Sequence, residues 1–225
     1  MTATAALAVF RLSAYVRSHR VYQSLLLVLA LLAVLHSSRA PRGEEAGVLA
    51  GAAVLIVPVL AWSARSLLDT EPDRQRELSA VTVGGRGREL VAGLAAALAT
   101  CVALAATGLA AALLLGTSAR PSSGVLAAGV AMHGLAALTG TALGALTSRA
   151  VVRSPALSIM GLVFGFLLML LVSASPAYWL TVPLVVWMRA ANDGDLVARF
   201  PELAAVSLAW CLLALTWYAW RRLRR

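Results

Sequence analysis

The chain has 225 residues and a formal net charge of +9, yet only 13% of its residues are charged and 60% are hydrophobic. All 19 of its basic residues are arginine. Walker-type phosphate loops, protein-kinase sites and Schiff-base chemistry each need a lysine, so the composition excludes all three. A soluble domain carries about 25% charged residues. The low fraction of charged residues and the mean hydropathy of +0.84 together predict an integral membrane protein.

The positive charge does not predict nucleic-acid binding. The arginines lie between long apolar runs and do not form a stripe on a polar domain, so we expect no nucleic-acid partner. Cys101 and Cys211 lie inside apolar runs, which disfavours a disulfide or a metal site built on them. No cofactor is predicted.

Residues 4–20 predict an amphipathic helix that lies on the inner leaflet before the first crossing. On a helical wheel the basic residues fall outside one apolar arc, which is formed by Ala5, Ala8, Val9, Leu12, Tyr15 and Val16. The residues outside the arc are Arg11, Arg17 and Arg20. A cleaved secretory signal ending near Ala40 is the alternative, and the length of the basic region disfavours it.

Six apolar stretches predict an all-α, polytopic membrane protein with one transmembrane domain over residues 1–225. A hydrocarbon core of about 30 Å needs roughly 20 apolar residues per helix. The predicted crossings are 21–38, 46–64, 90–115, 124–147, 156–174 and 203–220. The fifth apolar stretch is too long for one crossing, and Ser173, Ser175 and Pro176 divide it. This leaves a separate short apolar segment from Pro176 to Met188.

The distribution of arginine predicts that both termini and the 65–89 loop are cytoplasmic. Fourteen arginines fall on that side, and five on the other: Arg39, Arg42, Arg120, Arg189 and Arg199. Aromatic residues are predicted at both interfaces. The inner ones are Tyr22, Trp62, Trp217, Tyr218 and Trp220, and the outer ones are Tyr178, Trp179 and Trp187.

His133 is the ionisable side chain deep inside a predicted crossing, whereas His36 lies near the end of the first, and all ten carboxylates lie in loops or at span ends. This disfavours an ion-coupled transporter, which usually needs an acidic group near the midplane. His133 is interpreted as an interhelical hydrogen-bonding residue, with a ligand role as the alternative. Ser118 follows Gly116, but this run lacks the second glycine of G-x-S-x-G, which disfavours a serine nucleophile paired with His133.

Three glycine pairs at i, i+4 spacing predict close helix packing. They are Gly47 with Gly51, Gly140 with Gly144, and Gly161 with Gly165. Pro58 lies inside the second crossing, where it removes a backbone donor. Its role, in gating or only in local geometry, stays open.

The loop after the second crossing holds half of all the acidic residues. Thr70 is predicted to cap a short helix, Pro72 to occupy its first turn, and Gly84 with Gly85 to end it. Arg74, Leu78 and Val81 share one face of this helix. Asp73, Arg76 and Glu77 flank that face. Mixed charge around an apolar ridge suits a cytosolic protein partner better than anionic lipid, and a merely solvated loop is the alternative.

The layout resembles the permease subunit of a type-2 ABC exporter over the whole chain. The resemblance depends on the basic helix before the first crossing, on the six crossings and on one sequence run. The run is RELSAVTV, from Arg76 to Val83, and it precedes the basic turn at Arg86 and Arg88. Thr82 stands where the family commonly has a proline. The match is one of pattern, because these motifs are loose.

The resemblance implies a multi-pass protein of the bacterial plasma membrane without a catalytic residue of its own. Its 65–89 loop would contain a coupling helix that docks on a separate cytosolic ABC ATPase subunit. The predicted contact residues are Arg74, Arg76, Glu77, Leu78 and Val81. Residues 176–202 would form an outer re-entrant segment that caps the exit. A second permease copy or a sister permease would complete a path along the second and fifth crossings.

Two functions of other classes compete with an exporter. The first is a non-transporting assembly or scaffold protein, which need not bind an ATPase. The second is a membrane enzyme that acts on lipid, against which the sequence shows no clustered acid, histidine or metal-ligand set.

Overall fold

The computed structural model describes residues 2–224, apart from the side chain of Asp73. In that part of the chain all regular structure is helical, with one isolated bridge between Ala40 and Thr117. The helices are α1 (Ala3–Arg17), α2 (Arg20–Leu35), α3 (Glu45–Leu68), α4 (Asp73–Thr82), α5 (Arg86–Ala111), α6 (Ser123–Thr147), α7 (Pro155–Ala174), α8 (Leu184–Asn192) and α9 (Leu196–Leu223). A π-helical turn, Ala112–Gly116, extends α5, and a 3₁₀ turn covers Tyr178–Leu180. The all-α prediction is confirmed.

Five helices are long and apolar enough to cross a membrane: α3, α5 with its π-helical turn, α6, α7 and α9. Helix α2 has 16 residues, or about 24 Å at 1.5 Å per residue, which is short of a full crossing. α1 and α2 meet at a 73° bend and together have the length and hydropathy of a sixth crossing. The fold is therefore that of a multi-pass membrane protein with five or six spans.

The bend between α1 and α2 lies at Ser18 and His19. His19 has φ = 59°, a left-handed conformation that is uncommon for a residue with a side chain. At the end of α1 the backbone N–H of Ser18 donates to the Ala14 oxygen, and that of His19 donates to the Val16 oxygen. The basic helix and the first apolar helix are thus separate rods that meet at a sharp corner.

Helix α3 is the central helix of the bundle, and it packs against α2, α5, α6 and α8. None of its residues is exposed. Its seam with α6 requires glycine, because a Cβ on Gly144 would lie 2.5 Å from the Ala61 carbonyl oxygen and one on Gly140 would lie 2.5 Å from Leu60 Cβ. The Gly140 and Gly144 pair is therefore a helix contact, as predicted.

In each of the other two glycine pairs only one member is closely packed: a Cβ on Gly47 would lie 2.7 Å from Asn192 Oδ1, and one on Gly165 would lie 3.1 Å from Leu143 Cδ1. A Cβ on Gly51 would meet nothing within 4 Å, and one on Gly161 would lie 3.7 Å from Thr147 Cγ2. Glycine spacing alone therefore did not distinguish a tight seam from an open one. Pro58 does not end α3, which continues through it to Leu68.

The segment after α7 is partly folded into the bundle. Helix α8 packs against α3, α7 and α9 and buries Leu184, Trp187 and Ala190 completely. Trp187 is thus a core residue that faces protein, whereas Trp179 is 62% exposed. The final helix begins at Leu196, inside the stretch that the sequence assigned to an outer segment.

Candidate functional site

Helix α4 has an inward face and an outward face. Arg76, Ala80 and Val83 are buried against the bundle, as expected for residues at i, i+4 and i+7 spacing. On the opposite face Leu78 is 70% exposed and Val81 is 80% exposed. These two side chains form the apolar part of the exposed side of α4.

The exposed side of α4 brings together four of the five predicted contact residues. Arg74 and Glu77 are also exposed, so they flank Leu78 and Val81 on one surface. We name these four residues the α4 ridge. The fifth residue, Arg76, has a different position: its guanidinium donates to the backbone oxygens of Leu68, at 2.8 Å, and Glu71, at 3.1 Å.

The ends of α4 differ in part from the sequence prediction. Pro72 precedes the helix as its N-cap residue. Thr70 does not cap α4, because its hydroxyl donates back to the Ser66 oxygen in the last turn of α3. Gly84 and Gly85 have φ values of +84° and +137°, which glycine adopts without a steric cost. The glycine pair therefore ends α4 and starts α5 as predicted.

A buried charge network holds the connection between α3 and α4 in place. The Arg11 guanidinium contacts the carboxylates of both Glu71 and Glu89, with 2.5 Å to Glu89 Oε1. Arg222 reaches the same Glu89 carboxylate at 2.9 Å, and Ser79 donates to Glu71 at 2.6 Å. Arg11, Glu71 and Glu89 are each less than a tenth exposed.

The network joins four distant parts of the chain: α1, the turn before α4, the first turn of α5 and the last turn of α9. Breaking a buried ion pair leaves an uncompensated charge and costs about 3–5 kcal/mol. These contacts therefore fix the position of α4 relative to the apolar helices.

Sequence reasoning missed this network. On the helical wheel Arg11 falls outside the apolar arc, whereas the structure buries Leu7, Arg11 and Tyr15 along one stripe of α1. Val9 and Val16, which the wheel places on the arc, are about half exposed. The sequence signal for this buried stripe was the i, i+4, i+8 spacing of its three residues. A hydropathy pattern does not show the stripe, because one of the three residues is charged.

A second polar contact set connects α3 to the loop after α6. Arg65 Nε contacts the Ser158 hydroxyl and lies 3.9 Å from Asp69 Oδ2, while Asp69 Oδ1 accepts the backbone N–H of Arg149 at 2.9 Å. Burial raises the pKa of Asp69, and the Arg149 N–H and the nearby guanidinium groups oppose that shift. The C-terminal end of α3 is thus held by polar contacts with Ser158 and with the backbone of Arg149.

A cavity of about 500 Å³ opens beside α4. Its lining includes five arginines, Arg76, Arg86, Arg149, Arg153 and Arg222, and two acids, Glu77 and Glu89. We name it the arginine cavity. It lies next to the α4 ridge and shares Glu89 and Arg222 with the buried network.

His133 and Ser118 do not form a catalytic pair. The His133 ring bonds the Gly129 oxygen of its own helix at 2.8 Å, which corrects the prediction of an interhelical bond. The Ser118 hydroxyl donates to the Ala40 oxygen at 2.6 Å. Cys101 and Cys211 are buried free thiols. Within residues 2–224 no cluster of three or more histidine, cysteine or acidic side chains is placed to hold a metal.

No protein-family model, no curated protein and no solved structure matches this chain. The resemblance to exporter permeases therefore depends on the sequence pattern and the helical layout alone.

Proposed function

We propose that this chain is the membrane-spanning permease subunit of an ATP-driven exporter of the ABC type, and that the α4 ridge docks on a separate ATPase subunit. The observation that carries the proposal is the exposure of Leu78 and Val81 on a short helix that is otherwise polar. A partner that covers both side chains would remove the largest apolar patch of α4 from water.

The attachment of α4 suits the transmission of movement. The ridge lies on a helix whose inward face is buried and whose preceding turn is held by Arg11 through Glu71. Because Arg11 and Arg222 meet at Glu89, a displacement of α4 would act on α1, α5 and α9 together. A flexible tether would not couple a partner to the crossings in this way.

The proposed orientation places the α4 end of the bundle, with both termini, in the cytoplasm of a bacterial cell. The arginine distribution supports it, because basic residues concentrate in cytoplasmic segments. ATP would be hydrolysed by the partner, since a chain without lysine has no Walker-type loop. The α4 ridge and not the cavity is the proposed ATPase contact.

A second permease copy or a sister permease is part of the proposal. Helix α7 offers a broad exposed apolar surface, including Phe164, Leu168 and Leu171, that a partner or lipid would cover. Helix α3, by contrast, is enclosed within its own chain. The proposed path between two copies therefore involves α7 directly, and α3 would contribute only after its neighbours move.

The first experiment is purification of the tagged full chain from its native membrane, followed by identification of the proteins bound to it. We expect an ABC ATPase to co-purify in a fixed ratio. Leu78→Asp and Glu77→Arg should each lower ATPase retention by about tenfold or more. A central apolar contact is worth roughly 1.5–3 kcal/mol, and reversal of Glu77 would place like charges opposite each other in the interface, which is strongly unfavourable.

The matched control for the charge reversal is Asp193→Arg, which changes an exposed acid in the turn after α8. Leu78→Met preserves the apolar contact and should retain the ATPase. Full retention in both ridge variants would refute docking through α4. A wild-type chain that brings down no ATPase would instead favour the scaffold function.

A further inference from the structure

Among the residues that the structure describes, the arginine cavity has more arginines than carboxylates: five arginines line it against Glu77 and Glu89. Its volume of about 500 Å³ falls in the range of small-molecule sites, about 300–1,000 Å³. Like charges gathered around one space repel each other, so the arrangement favours an anion between them.

The arginines of this cavity divide into two groups. Arg76 and Arg222 are held by backbone oxygens and by Glu89, respectively. The side chains of Arg86, Arg149 and Arg153 form no hydrogen bond or ion pair with any residue in the part of the chain that the structure describes. Three guanidinium groups therefore keep their donors for a ligand.

The backbone beside the cavity also favours an anion. Arg86 is the first residue of α5, directly after the glycine pair. The first backbone N–H groups of a helix have no acceptor within the helix, and the helix dipole places partial positive charge there. A Cβ on Gly85 would meet nothing within 4 Å, so the space in front of this helix end is open.

The geometry points to a binding site for a phosphate-bearing anion in the arginine cavity. Guanidinium groups match phosphate oxygens through paired, charge-assisted hydrogen bonds. Glu77 is the one residue of the α4 ridge that also lines this cavity. The anion would be held by the arginines, so the site does not depend on the proposed ATPase partner. Its phosphate group would come from one of two sources, the headgroup of an anionic lipid or a soluble phosphate.

The remaining lining favours the lipid source. Leu90, Ala150 and Leu223 add apolar surface to the same cavity, and each lies at or near the end of an apolar helix. A lipid would place its phosphate among the arginines and the start of its chains along these residues. A soluble phosphate would use only the polar part of the lining.

The test compares two double variants of the full chain in neutral detergent. Arg149→Gln with Arg153→Gln removes two exposed guanidinium groups that have no structural partner among the described residues. Arg17→Gln with Arg20→Gln removes the same charge from exposed positions around the bend between α1 and α2, outside the cavity. Native mass spectrometry then measures retained dioleoylphosphatidylglycerol. Zwitterionic dioleoylphosphatidylcholine, which has no net charge, is the control lipid. Thermal unfolding with and without inorganic phosphate forms the second arm.

We expect the cavity variant to bind phosphatidylglycerol at least about tenfold more weakly than wild type, with the control variant within about twofold. Stabilisation of the wild type but not of the cavity variant by inorganic phosphate, without selectivity for phosphatidylglycerol, would support the site and identify the soluble source. Equal losses in both variants would show general surface attraction and overturn the proposal. The absence of binding in both arms would also overturn it.

Discussion

The two ends of the helical bundle use charge in different ways. At the α4 end Arg11, Glu89 and Arg222 are mostly buried and join segments that are far apart in the chain. At the opposite end the ion pair between Arg199 and Asp195 lies within one helix, and its side chains are 36% and 44% exposed. Exposed local pairs contribute about 0–1 kcal/mol, whereas breaking a buried pair costs several.

The cavities of the two ends show the same contrast. The opposite end has a cavity of about 740 Å³ whose lining contains one arginine, Arg39, and one acid, Glu44. The arginine cavity of about 500 Å³ has five arginines. Charge is therefore concentrated where α4 attaches, and the buried ion pairs hold this end in a fixed geometry.

The largest expected effect comes from breaking the buried network. Glu89→Gln keeps the shape of the side chain but leaves Arg11 and Arg222 without their shared counter-charge. We expect the free energy of unfolding in detergent to fall by about 3–5 kcal/mol. Glu202 is exposed at the opposite end and accepts a hydrogen bond of 2.7 Å from the Tyr178 hydroxyl. Glu202→Gln should change the free energy of unfolding by no more than about 0.5 kcal/mol. Equal effects would remove the distinction between the two ends.

A smaller effect is expected from a change in helix packing, without a change in charge, at the α4 end. Gly144→Ala places a methyl group 2.5 Å from the Ala61 oxygen, and overpacking of this kind costs about 1–3 kcal/mol. Gly161→Ala has room for the same methyl group and should be neutral, or stabilising by up to about 1 kcal/mol through helix propensity. Unfolding of both variants in detergent provides the comparison. A neutral Gly144→Ala would show that the α3–α6 seam is looser than the structure indicates.

The smallest expected effect concerns the attachment of α1. Tyr15 is buried, and its hydroxyl lies 3.2 Å from Ser24 Oγ and 3.1 Å from Ser63 Oγ. Tyr15→Phe should lower the free energy of unfolding by about 1 kcal/mol, because a buried hydrogen bond is worth roughly that much. Tyr178→Phe removes an exposed hydroxyl and should cost less. If the two substitutions lower the free energy of unfolding equally, the buried hydroxyl cluster of Tyr15, Ser24 and Ser63 does not stabilise the attachment of α1.

Part of the candidate site could be predicted from local sequence. Gly84 and Gly85 end α4 because their backbone angles suit glycine, and Leu78 shares an exposed face with Val81 because the helical period requires it. The buried network around Glu89 depends on contacts between distant segments: Arg11 and Glu71 are 60 residues apart, and Arg222 and Glu89 are 133 apart. No local pattern contains that information.

The sequence by itself determined the helical class and the presence of several apolar spans, because a backbone in lipid must satisfy its own hydrogen bonds and a helix does so locally. Only the tertiary structure decided which spans face protein. Helices α3 and α7 have similar mean hydropathies, 2.1 and 2.5, yet 56% of the apolar window of α3 is buried and only 28% of that of α7. A leucine is as favourable in lipid as in a protein interior, so hydropathy does not distinguish the two surroundings. The contacts between helices make that distinction, and they also bury Arg11.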